Sequence, residues 1–173
     1  MTYYSDKITL YAVGYWYDKI FKDKMDPKII LDYNWNPNQK IKLLNYLLSS
    51  HSLGPDLGYD WCRVTGKSKE LKLIRDELTD GVFIWPASLV HYLEKYNIEL
   101  PDYFIKNIES RNYCYDIKKI NEIKDRFENL WDSPHGPNQI NYDSSEWDKW
   151  AKEKMKIANE SGNIIEKNQV WPI

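Results

Sequence analysis

Thr79-Asp80-Gly81-Val82-Phe83-Ile84-Trp85-Pro86-Ala87-Ser88-Leu89-Val90-His91-Tyr92 is the stretch whose reading decides the fold. Thr79-Asp80-Gly81 is a turn signal, because glycine accepts the positive φ of a tight reversal and aspartate bonds its own turn backbone. Val82 to Trp85 is a short run of large apolar residues, which reads as a buried strand. Pro86 then opens a helix, since proline at the first helical position gives up no N–H that the helix uses. Leu89, Val90, Leu93 and Tyr96 supply that helix with one apolar face, and Asn97 is suited to end it in the left-handed region. Strand and helix are thereby expected to pack as one unit, with Trp85 anchoring the strand end in the core.

Working outward, residues 71–78 fit either a strand or a short helix, residues 59–64 read as a strand, and residues 65–68 as a turn. Asn36-Pro37 marks a helix start with a capping side chain, and Ile41, Leu44, Leu47 and Leu48 share one face, so a helix is expected over 37–50. Gly54-Pro55 stops any continuation. The segment 7–17 is β-branched and aromatic, hence a strand. Downstream, Leu100-Pro101-Asp102 starts a helix to about Ile108, and Asp116 is placed to cap another carrying Ile117, Ile120, Ile123, Phe127 and Leu130. Residues 133–138 read as a loop. Asp143 with Glu146 resembles a capping box opening the last helix, striped by Trp147, Trp150, Ala151, Met155 and Ala158 and stopped at Gly162. The tail, 163–173, is expected to add an edge strand. The fold expectation is one α+β domain over 1–173: a small, mainly antiparallel sheet packed with four or five helices, with a C-terminal helical part over 116–162.

Composition narrows the function classes. Net charge is −2, from 24 basic and 26 acidic residues, and the lysines are interleaved with acids, so a phosphate-binding face is not indicated and nucleic acid is an unlikely partner. The two cysteines, Cys62 and Cys114, make no disulfide framework. The N-terminus lacks the pattern of a signal peptide, and no apolar run approaches the roughly 20 residues of a membrane span, so a cytoplasmic protein off the membrane is expected. Aromatics make up 15% of the chain and serve cores and interfaces alike: packing in and near the core is the first reading, and an aromatic-rich recognition face the second.

Catalytic signatures are sparse. Gly66-Lys67-Ser68 lacks the upstream glycine of a phosphate-binding loop, with Trp61 standing in that place. The histidines are His51, His91 and His135, scattered along the chain. His91 fits a hydrogen-bonded structural role on its helix. Arg63, on a strand that looks buried, requires an acidic partner, for which Asp80 is the candidate.

The block over 35–104 resembles an uncharacterised family of small bacterial proteins. The shared residues are Trp35, Tyr46-Leu47, Gly58, Cys62-Arg63, Gly66, Thr79-Asp80-Gly81, Trp85-Pro86, Leu89, His91-Tyr92, Leu100-Pro101 and Phe104. The family pattern is Cys-Arg-x-Cys-Gly, then Thr-Asp-Gly-x-x-x-Trp-Pro-x-x-Leu-x-His-Tyr, then Leu-Pro-x-x-Phe. The resemblance implies a shared fold and no particular activity. Two departures bear on metal binding: Thr65 stands where the pattern has its second cysteine, and Tyr96 where it has a second histidine. Cys62 and His91 alone do not close a tetrahedral site, so no zinc and no other cofactor is expected.

Three functional readings remain. The first is a protein-binding module, in its most concrete form a bacterial immunity protein that neutralises a cognate toxin, with Trp16, Trp147, Trp150 and Trp171 as anchors among acidic residues. The second is an enzyme built on His91, Arg63 and Asp80, which requires those groups to converge on an open pocket. The third is a degenerate zinc-ribbon-like nucleic-acid binder.

Overall fold

The computed structural model describes residues 6–16, 23–65, 72–128 and 140–162. Its elements are β1 (Ile8–Ala12), a 3₁₀ turn (Pro27–Ile30), α1 (Pro37–Leu48), β2 (His51–Trp61), β3 (Lys72–Thr79), β4 (Phe83–Pro86), α2 (Ser88–Tyr96), α3 (Asp102–Ser110), α4 (Ile117–Glu128), β5 (Ile140–Asp143) and α5 (Ser145–Glu160). The strands form a five-stranded sheet in the order β2-β3-β4-β1-β5. The α+β expectation holds, with one correction. The sheet is mixed rather than mainly antiparallel. The pairs β2–β3 and β3–β4 are antiparallel, but β1 runs parallel to both β4 and β5. Parallel neighbours require a crossover: α1, β2 and β3 lie between β1 and its neighbour β4 in sequence, and α2, α3 and α4 then carry the chain from β4 to β5 on the other side of β1.

Local signals account for most boundaries. The Asn36 side chain accepts hydrogen bonds from the Asn38 and Gln39 amides at 3.0 and 3.2 Å, capping α1 behind Pro37. Asn97 ends α2 at φ 47°, a left-handed conformation that asparagine tolerates. Other expectations are corrected. Gly54-Pro55 lies inside β2, where the ladder shifts register on either side of Pro55; β2 is an edge strand, the place where a sheet accepts proline. The ambiguous segment before the Thr79 turn is the strand β3. Pro86 is the last residue of β4, and α2 begins two residues later. Asp143 belongs to β5 and accepts from the Ser145 amide at 2.9 Å, while Ser144 holds the N-cap position of α5 without bonding an amide and donates its hydroxyl to Asp148; no capping box forms with Glu146. The loop at 133–138 and the tail strand at 163–173 lie outside the described residues.

The sheet is sandwiched. Ile8, Leu10, Ala12, Leu53, Ile84 and Ile140 cluster with Ile123 and Phe127 of α4 on one face. Val13, Phe83 and Trp85 cluster with Leu43 and Leu47 of α1, Leu89 and Leu93 of α2, Phe104 of α3 and Trp147 of α5 on the other. Alternation along β1 turns Ile8, Leu10 and Ala12 into the first of these cores and leaves Tyr11 exposed on the other face. Gly14, at φ 82°, lets the end of β1 close on α2: a Cβ there would stand 2.8 Å from Leu89 Cδ1.

Candidate functional site

Asp80 is a hub of hydrogen bonds in the motif block. It is fully buried. Its Oδ1 accepts from the Val82 and Phe83 amides at 2.8 and 2.7 Å, which is the turn-backbone bonding read from the sequence. Its Oδ2 accepts from the Tyr46 hydroxyl at 2.8 Å and from Arg111 Nη2 at 2.7 Å. A carboxylate offers about four acceptor positions, and here all are filled. Burial opposes the Arg111 charge, but the Asp80 carboxylate outweighs it and raises the arginine's pKa. The Tyr46 hydroxyl is pushed up by burial and then by the Asp80 charge. Tyr115 stacks on Tyr46 at 4.6 Å between centroids and donates to the Tyr46 carbonyl. One carboxylate therefore ties the β3–β4 turn to α1 and to the end of α3. The expected Arg63–Asp80 pair is corrected: Arg111 is the cation on Asp80.

Arg63 is half-buried just past β2, and its amide donates to the Tyr92 hydroxyl at 2.9 Å. Cys62 is buried beside it, with Sγ 3.5 Å from Tyr96 Oη, and the Thr65 hydroxyl lies 3.5 Å from the Cys62 carbonyl. Burial pushes the Cys62 thiol up, but hydrogen bonds from Tyr96, Thr65 and Val64 together bring it below its ordinary value. Burial and the Cys62 sulfur push the Tyr96 hydroxyl up to about 12. His91 meets the Tyr92 and Tyr96 rings edge-on at 5.4 and 5.6 Å, and its Nε2 has no hydrogen-bond partner among the described residues. Burial and then Lys95 lower its pKa. Positions 62, 65, 91 and 96 are thus linked through space, with a hydroxyl where the resembled pattern has its second cysteine and its second histidine. Among the described residues, no group of three or more His, Cys, Asp or Glu is placed to hold a metal ion.

The tryptophans divide. Trp16 and Trp147 retain only 4% and 0% exposure and meet edge-on at 5.3 Å, so they belong to the core and not to a binding surface. Trp147 Nε1 donates to the Tyr15 carbonyl at 3.2 Å, fastening α5 to the end of β1. Trp150 is half-buried and tilted against Trp147, with Lys154 Nζ 5.6 Å from its ring centroid. Trp171 lies outside the described residues.

A different aromatic group reaches the surface. Tyr11 packs on Phe83 at 6.1 Å, and Phe83 packs on Tyr103 of α3 at 6.3 Å. Tyr11 remains 42% exposed. In register beside it on β5 is Asp143, and Glu146 stands exposed in the first turn of α5. The Ser145 hydroxyl and amide hold Asp143 below the usual carboxylate range. Burial and then the charges of Glu146 and Asp148 push the Tyr103 hydroxyl up. Asp148 already holds a cation, Lys24, at 2.7 and 2.9 Å. Carboxylates are favoured at this helix N-terminus. Sequence alternation placed Tyr11 on a strand, but its exposure depends on which strand lies beside β1, and no local signal carries that.

No family model, curated protein or solved structure matches this chain. Among the described residues, no helix is long and apolar enough to cross a membrane.

Proposed function

We propose that this chain is a protein-binding module of the bacterial cytoplasm, in its most concrete form an immunity protein that neutralises a cognate toxin by docking on it. The observation that carries this reading is the state of Asp80. An acid–base or nucleophilic role requires a carboxylate with an acceptor open to substrate. Asp80 is buried with its acceptor positions filled by Val82, Phe83, Tyr46 and Arg111. The motif block is accordingly scaffold, and function falls to the surface, where Tyr11, Tyr33, Tyr142 and Trp61 keep more than a third of their area exposed. Aromatic side chains of this kind make interface anchors at low entropic cost.

The test is affinity capture with the full chain from lysate of the source cell, supplemented with the products of neighbouring genes, at low and high salt. One stoichiometric protein partner whose toxicity is relieved by co-expression is the expected result. Capture of nucleic acid alone, or turnover of a small-molecule library that is lost in Asp80→Asn without unfolding, overturns the reading.

A further inference from the structure

We infer that the corner formed by Tyr11, Tyr103, Asp143 and Glu146 is the docking surface, and that its occupant is a segment of the partner protein bearing arginine or lysine. This rests on the protein-binding reading above and specifies the chemistry of the partner.

Three observations converge on this corner. Tyr11 presents a large open ring, fixed from behind by Phe83 and therefore already ordered before binding. An anchor held in its bound position loses little entropy on docking. Asp143 stands in register beside that ring, Glu146 lies close enough to Tyr103 to act on its hydroxyl, and the hydrogen bonds from Ser145 favour the charged form of Asp143. The third observation is an internal precedent. Lys24 reaches across the chain to Asp148, two residues past Glu146 on the same helix end, with its side chain only 15% exposed. That helix end thus already seats one cation of its own chain.

An incoming guanidinium would lie on the Tyr11 face and bond to the neighbouring carboxylates, combining cation–π attraction with charge-assisted hydrogen bonds. A nucleic acid is disfavoured because its phosphates would meet Asp143 and Glu146. A second copy of this chain is disfavoured because a two-fold pairing through this patch would bring the same acidic groups face to face.

The experiment compares wild type with Tyr11→Ala, with the charge-reversed double variant Asp143→Lys/Glu146→Lys, and with Leu48→Lys on the exposed side of α1 as a control. Each is checked for an unchanged thermal transition. A first measurement titrates the isotopically labelled chain with the peptide Gly-Arg-Gly-Arg-Gly, and with its glutamate counterpart. The expected result is that amide shifts concentrate at residues 11, 103, 143 and 146 with the arginine peptide only. Shifts of equal size at distant exposed acids such as Glu94 and Glu153 overturn the surface. A second measurement determines partner affinity by calorimetry. Loss of about tenfold or more in Tyr11→Ala and in the charge reversal, with none in Leu48→Lys, supports it. Restoration by an acidic replacement of one partner arginine completes the support. A partner that binds all variants equally overturns the surface while leaving the binding-module reading in place. A chain that captures only itself, or nothing, overturns both.

Discussion

The Asp80 cluster and the Tyr11 corner are assembled from the same residue types, tyrosines and carboxylates, and come to opposite ends. At Asp80 every lone pair meets a donor, and the fully buried charge is paired with Arg111 at 2.7 Å. At Tyr11 the ring is half open, and the half-buried Asp143 bonds within its own turn, to Ser145. A motif with many polar residues is therefore a poor guide to function until its hydrogen bonds are accounted for. The polar chemistry of the turn is taken up within the fold, and the plainer residues near the end of β5 are the ones left exposed.

The largest way to break this contrast is Asp80→Ala. Removing one member of a buried ion pair strands the other, so the variant is expected to lose about 3–5 kcal/mol of stability, while Asp143→Ala, which gives up only the Ser145 bonds at the start of α5, costs about 1 kcal/mol or less. Equal effects at the two positions would erase the distinction. A double-mutant cycle between Asp80→Asn and Arg111→Met is expected to show coupling of about 1–3 kcal/mol. The matching cycle with Arg63→Met should be additive, and coupling there would restore the pairing read from the sequence. Gly14→Ala, away from both regions, is expected to cost about 1–3 kcal/mol, from a positive φ and a collision with Leu89. The smallest effect concerns pH. His91 has a lowered pKa in the fold, so between its folded value and the unfolded value of about 6.5 the unfolded chain binds more protons. Stability is then full above that unfolded value and declines as pH falls toward the folded one. Urea midpoints at pH 7.5 and pH 5.5 should fall less in His91→Gln than in wild type.

What was legible in the sequence was what short-range chemistry decides. Asn36-Pro37, Thr79-Asp80-Gly81 and Asn97 each fix a boundary through a bond or dihedral within a few residues, and each behaves as its residue type dictates. What was not legible depends on partners distant along the chain. The cation for Asp80 comes from the end of α3, not from the arginine that stands out in the motif. The helical stripe of Trp147 and Ala151 reads as core packing, which their burial bears out, whereas the second use of Trp147 as a surface anchor fails because the wheel does not say which side the sheet occupies. The mixed sheet escaped for the same reason: period-two alternation reports the two faces of β1 and nothing about the direction of its neighbours.

That placement of β1 has a kinetic consequence. The strand made early in synthesis occupies an interior position of the sheet, and both of its neighbours, β4 and β5, are made later. Until then its hydrogen-bonding groups on both sides are open to other chains. Non-local pairing of this kind slows folding and lengthens the interval of exposure. Refolding yield should accordingly fall with rising protein concentration, and a peptide spanning β5, added during refolding, should compete for β1 before the chain's own strand arrives.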